Sequence, residues 1–111
     1  MRVIIDNLKN PTKFVDQGTV AIGSIATVWT PATGKKVRLM GGCISVSAAA
    51  SVLFEDNGAG TTVFRTPALL AATPYNFDLG EGITLGAANN VLKATSSAAA
   101  NLVGTLYGIE E

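Results

Sequence analysis

From about Thr19 onward the chain is a succession of short runs rich in Val, Ile, Thr and aromatic residues, broken by Gly, Asn and Pro turns, and it contains no histidine. β-Branched runs of this length between turn residues fit pleated, half-buried strands rather than helices. The pattern therefore predicts an all-β domain. The missing histidine removes the side chain most used for acid–base work and metal ligation near neutral pH.

With 111 residues the chain is expected to form one domain around one small core. Its make-up is 48% hydrophobic and 14% charged, with a mean hydropathy of +0.37, whereas globular domains carry about 25% charged residues. Too few charges remain to cover the outside, so self-association or docking on a larger body is the expected way to bury apolar surface. The alternative is a monomer coated in Thr, Ser and Asn. Eight basic and eight acidic residues cancel, and the largest basic cluster, Lys35, Lys36 and Arg38, is too small for a phosphate-binding face. Nucleic acid is not an expected partner.

Cys43 is the only cysteine, which excludes an intramolecular disulfide, and its place in a strand-like run predicts a buried core residue. Met1-Arg2-Val3-Ile4-Ile5 meets Asp6 and Asn7 too soon to be the apolar stretch of a signal peptide. No apolar run reaches the length of a bilayer span. Synthesis in a cytoplasm without membrane association is the expectation.

Residues 1–18 differ from the rest, because Asn10-Pro11 and Asp16-Gln17-Gly18 interrupt any regular period. They read either as an extended arm or as a first edge strand, with Ile4, Leu8, Phe14 and Val15 as apolar points spaced to lie on a neighbouring surface. Residues 19–111 read as the sandwich domain. Residues 19–29 read as one strand, with Val20, Ile22, Ala26 and Val28 on one face. Thr30-Pro31-Ala32-Thr33-Gly34 then turns the chain. Val37 and Leu39 differ in parity from Ile44 and Val46, so a β-bulge at Gly41-Gly42 is predicted to return all four to one face.

Val52 and Phe54 point inward, Glu55-Asp56-Asn57-Gly58 forms a solvated tip, and residues 61–65 return as the plainest hairpin. Tyr75, Phe77 and Leu79 alternate along a further strand closed by Gly80-Glu81-Gly82, and Ile83 and Leu85 begin a short separate one. Residues 91–96 form another strand. Residues 102–109 are apolar on both faces, Leu102 and Leu106 on one and Val103, Tyr107 and Ile109 on the other, which predicts a central strand with a partner or the arm over its second face. About eight strands after residue 18 favour a two-sheet, jelly-roll-like sandwich.

Candidate chemistry is sparse. Gly58-Ala59-Gly60 and Gly80-Glu81-Gly82 lack the third glycine and following helix of a dinucleotide loop. Asp78 and Glu81 flank one turn, but two carboxylates fall short of a calcium loop. Ser24, Ser45 and Ser47 have neither a histidine nor a nucleophile elbow. No enzyme activity, cofactor, metal or small-molecule substrate is expected. Trp29, the lone tryptophan, is either an interface anchor or a core residue whose N–H is capped by a carbonyl.

The stretch Ile25-Ala26-Thr27-Val28-Trp29-Thr30-Pro31-Ala32-Thr33-Gly34-Lys35-Lys36-Val37-Arg38-Leu39-Met40-Gly41-Gly42, the Phe54-Glu55-Asp56-Asn57-Gly58 hairpin, and the ending Ala87-Ala88-Asn89-Asn90-Val91-Leu92 with Leu106-Tyr107-Gly108-Ile109-Glu110 resemble small virion proteins of tailed bacteriophages over residues 19–111. The resemblance implies a β-sandwich, often trimeric, that decorates and cements a capsid or occurs in tails and fibres. It implies the major capsid protein as partner, a homotrimer, and a place on the virion surface. Ile4, Leu8, Phe14, Val15, Trp29 and Tyr107 are the candidate interface residues. The alternatives are a tail, baseplate or fibre component, or a glycan-binding module using loops near Trp29 and Tyr75.

Overall fold

A computed structural model describes residues 10–57 and 61–111. Nine strands occur among them: β1 (Lys13–Asp16), β2 (Val20–Ala21), β3 (Ala26–Trp29), β4 (Val37–Val46), β5 (Val52–Asp56), β6 (Thr61–Arg65), β7 (Tyr75–Thr84), β8 (Leu92–Ser96) and β9 (Asn101–Glu110). One sheet has the order β1-β9-β4-β7, with β2 also on β9, and the other has the order β3-β8-β5-β6. β4 lines the opposite flank of β9 along almost its whole length. β1 and β2 therefore act as one interrupted edge strand, and the winding is that of a jelly roll.

The winding follows from one long antiparallel ribbon. Phe54 pairs with Phe64, Gly41 with Asp78, Ala26 with Ala94, and Phe14 with Tyr107. These pairs are nested about the turn after Asn57, so each segment before that turn pairs with one placed nearly symmetrically after it. The ribbon then rolls over, and pairing of β9 with β4 and of β8 with β5 completes the two sheets.

The core lies between the sheets. Trp29, Phe54, Ile22, Leu39, Ile44, Leu92, Leu102 and Leu106 are among its fully buried side chains. Val37, Leu39, Ile44 and Val46 all reach it because the register slips between Leu39 and Gly41. The extra residue is thus Met40, just ahead of the expected glycine pair. β9 is central in its sheet, with Leu102 and Leu106 inward and Val103 outward.

Several expectations are corrected. Residues 19–29 are not one strand, since β2 belongs to one sheet and β3 to the other. The chain crosses at Ile22, whose N–H donates to the Ala100 carbonyl at 3.0 Å and whose carbonyl accepts from the Ser96 N–H at 2.8 Å. That buried corner satisfies the backbone on both sides of the crossing. Residues 75–84 are one strand rather than two: Leu39 faces Ile83 while Gly41 faces Asp78, so residues 79–82 loop out opposite Met40. Gly80 (φ +66°) and Gly82 (φ +94°) supply the left-handed turns of that excursion.

Asp56 is not a free tip residue. Its Oδ2 accepts from the Gly86 N–H at 2.7 Å and its Oδ1 from Asn90 Nδ2 at 2.9 Å, tying the hairpin end to the loop before β8. Cys43 is exposed rather than buried, because the bulge that turns Ile44 inward puts Cys43 on the outer face.

Candidate functional site

The outer face of the β1-β9-β4-β7 sheet carries a concavity of about 510 Å³. Phe14 on β1 pairs across to Tyr107 on β9, and their ring centroids are 6.2 Å apart at a 44° tilt. The Tyr107 ring lies over Gly41 on β4, where a Cβ would collide with the Tyr107 hydroxyl and the Phe77 carbonyl. The hydroxyl donates to that carbonyl at 3.4 Å. A glycine at 41 is therefore what lets an aromatic ring lie close to the sheet.

The bulge and the β7 excursion build the rest. Met40 points away from the sandwich core yet is only 4% exposed. Asp78 is held at the start of the excursion by the Gly80 N–H, which donates to its Oδ1 at 2.8 Å. The Glu81 carbonyl accepts from Arg38 Nη1 at 3.0 Å, and the Arg38 guanidinium is itself paired with Glu111 at 2.8 Å. Pro11, Phe14, Met40, Tyr107, Asp78, Gly80 and Glu81 line a groove of about 510 Å³. Among the described residues its lining has apolar walls, two carboxylates and no cationic side chain. It can bind an apolar segment or an apolar group bearing positive charge, and it presents no nucleophile–base pair.

Phe14, 64% exposed, and half-buried Tyr107 are thus brought together, whereas Val15 and Trp29 lie elsewhere. Val15 pairs with Leu106 and packs against the core, because strand alternation sends it to the opposite face from Phe14. Trp29 is 2% exposed and belongs to the core. Its indole N–H donates to Glu110 Oε2 at 2.8 Å, so the cap is a carboxylate and not the expected carbonyl. Ile4 and Leu8 lie outside the described residues.

Burial pushes the Glu110 carboxyl upward, but the Trp29 and Ala32 hydrogen bonds and the charges of Lys13 and Lys35 outweigh it. The net effect holds Glu110 below its ordinary value of 4.5. Asp78 and Glu81, read from sequence as a solvated turn, are joined to the groove by the excursion. Among the described residues no group of three or more His, Cys, Asp or Glu side chains is placed to hold a metal ion. Met40 was not a sequence candidate; the glycine pair after it was the available signal, since a bulge there reverses the side on which Met40 falls.

A smaller hollow of about 160 Å³ on the same face is bordered by Cys43, Ala72, Pro74 and Val103. Compared with protein-family models, curated proteins and solved structures, the chain gives no match in any of the three.

Proposed function

We propose that this is a non-enzymatic structural protein of a virus particle, a trimeric decoration protein that cements a capsid by bridging its subunits. The observation that carries the reading is a jelly roll whose outer faces keep large apolar side chains in a charge-poor surface. Leu70 is 71% exposed, and Phe14, Ile25, Ile83 and Val103 are also exposed. Such a surface is suited to repeated packing, because copies crowd together without charge repulsion and closed symmetry buries the apolar points. The bacteriophage resemblance over residues 19–111 supports the same reading.

The mechanism is thermodynamic. A protein that binds only the assembled shell lowers the free energy of that shell by linkage, and many weak copies sum to a large effect. Purified protein added to undecorated capsids of the encoding virus is expected to bind saturably, at hundreds of copies per particle on the order of one trimer per threefold site. Light scattering behind a sizing column is expected to give a trimer mass. Absence of saturable capsid binding would remove the decoration role.

A second reading, a glycan-binding tail or fibre module, is favoured by one observation, the ring pair Phe14–Tyr107 beside Asp78 and Glu81. Saturable binding on a glycan array, abolished by Tyr107→Ala, would support it over decoration.

A further inference from the structure

The groove on the β1-β9-β4-β7 sheet joins two aromatic rings to two carboxylates, and we infer that it binds a quaternary ammonium group, an organic cation whose charge is carried on an apolar body. The ring pair comes first. Phe14 and Tyr107 have centroids 6.2 Å apart at a 44° tilt. A single cation can therefore sit within about 6 Å of both, the range in which the negative face of an aromatic ring attracts positive charge. One face of Tyr107 lies against the sheet at Gly41, where no Cβ stands in the way, and the hydroxyl is tied to the Phe77 carbonyl. The ring is thereby held in place while it lines the groove.

The carboxylates come next. Asp78 accepts through Oδ1 from the Gly80 N–H at 2.8 Å, which fixes it at the start of the β7 excursion. Arg38, the cation on neighbouring β4, pairs with Glu111 and donates to the Glu81 carbonyl rather than to the Glu81 carboxylate. Among the described residues no ion pair engages Asp78 or Glu81, and no cation lines the groove. Two negative charges thus border a cavity that holds none of the opposite sign.

The balance of the lining selects the kind of cation. A primary ammonium is strongly hydrated and brings several N–H donors that each need an acceptor, whereas Pro11, Phe14, Met40 and Tyr107 offer mainly apolar surface. A quaternary ammonium has no N–H to satisfy. Its methyl groups bury against that surface while its charge meets the ring faces and the carboxylates. Met40 adds a polarizable thioether that adapts to the shape of a ligand. The volume of about 510 Å³ lies in the range of small-molecule sites and leaves room for the chain to which the ammonium is attached.

The test titrates the full chain with choline and with its neutral isostere, the alcohol in which a carbon atom replaces the nitrogen, and follows the Phe14 and Tyr107 ring signals and the Met40 methyl by NMR. Choline is expected to shift those signals saturably and to bind roughly 10-fold more tightly than the isostere, the share that the positive charge contributes. Asp78→Asn combined with Glu81→Gln keeps the acceptor for the Gly80 N–H and is expected to weaken choline binding about 3-fold or more. Phe14→Leu, at an exposed position, is expected to weaken it by a similar factor. Equal binding of the two probes, no saturable shift, or shifts confined to residues outside the groove would overturn the proposal. Should a variant lose its folded strand signals, the comparison of the two probes on the unaltered protein decides.

Discussion

Replacing Glu110 by Ala tests whether the sandwich depends on the link between its two sheets at Trp29. The indole is 2% exposed and its N–H donates to Glu110 Oε2 at 2.8 Å, while Glu110 Oε1 accepts from the Ala32 N–H at 3.2 Å. Removing the carboxylate leaves the indole N–H without an acceptor at a site that water reaches poorly. An orphaned buried donor costs about 1–3 kcal/mol. The exposed Ala32 amide exchanges its partner for water at little cost. A loss of about 2 kcal/mol is expected, or about 8 °C in Tm at roughly 4 °C per kcal/mol for a domain of this size.

Urea unfolding followed by the fluorescence of the single tryptophan reads this directly. Glu110→Gln keeps a carbonyl acceptor and is expected to cost less than half as much. In a Trp29→Phe background, followed by circular dichroism, Glu110→Ala is expected to cost under about 0.5 kcal/mol, because the donor is gone. The carboxyl lies below 4.5 in the folded protein. Its stabilisation is therefore complete above the unfolded-state value and fades as pH falls through the lower folded value. Glu110→Ala should flatten that part of the acid limb. A coupling energy near zero in the double-mutant cycle would refute the reasoning.

Leu106→Ala, which empties a fully buried position in central strand β9, is expected to cost about 2–5 kcal/mol in urea unfolding. Gly41→Ala is expected to lose about 2 kcal/mol or more, the range of overpacked sites, and to shift the Tyr107 ring signals in NMR because the new methyl occupies the hydroxyl's place. Cys43 in the folded protein is expected to react stoichiometrically with an aromatic disulfide reagent without denaturant. A thiol that reacts only after unfolding would contradict its outward placement.

The strands with clean alternation were legible in the sequence. Val52 and Phe54, Leu102 and Leu106, and the parity conflict between Val37-Leu39 and Ile44-Val46 each pointed to the side they occupy. What period-two reading missed is where a regular pattern crosses a corner. Val20, Ile22, Ala26 and Val28 keep one parity although the chain changes sheets between β2 and β3, because both inner faces look into the same core. The β7 excursion was read as a strand end because glycines mark a loop without telling whether the strand resumes in the same sheet. Cys43 was misjudged because a residue next to a bulge obeys the parity after the slip. The groove needed long-range pairing to bring β1, β4, β7 and β9 together, and the partner of Trp29 lay near the other end of the chain.

The nested ribbon also bears on how the molecule is made. A strand before the central turn finds its mate only when the mirror-placed segment after the turn has been synthesised, and the outermost pair joins β1 and β2 to β9. β9 is also the neighbour of β4, so the β1-β9-β4-β7 sheet lacks its middle until the last strand leaves the ribosome. β1 and β2 must wait longest for a mate, with the slow closure typical of distant contacts. A chain stopped before Asn101 would lose the strand that joins β4 to both β1 and β2, and with it the continuity of the β1-β9-β4-β7 sheet. The core-facing side chains of the β1-β9-β4-β7 sheet are thus covered late, when β9 joins the two halves of that sheet.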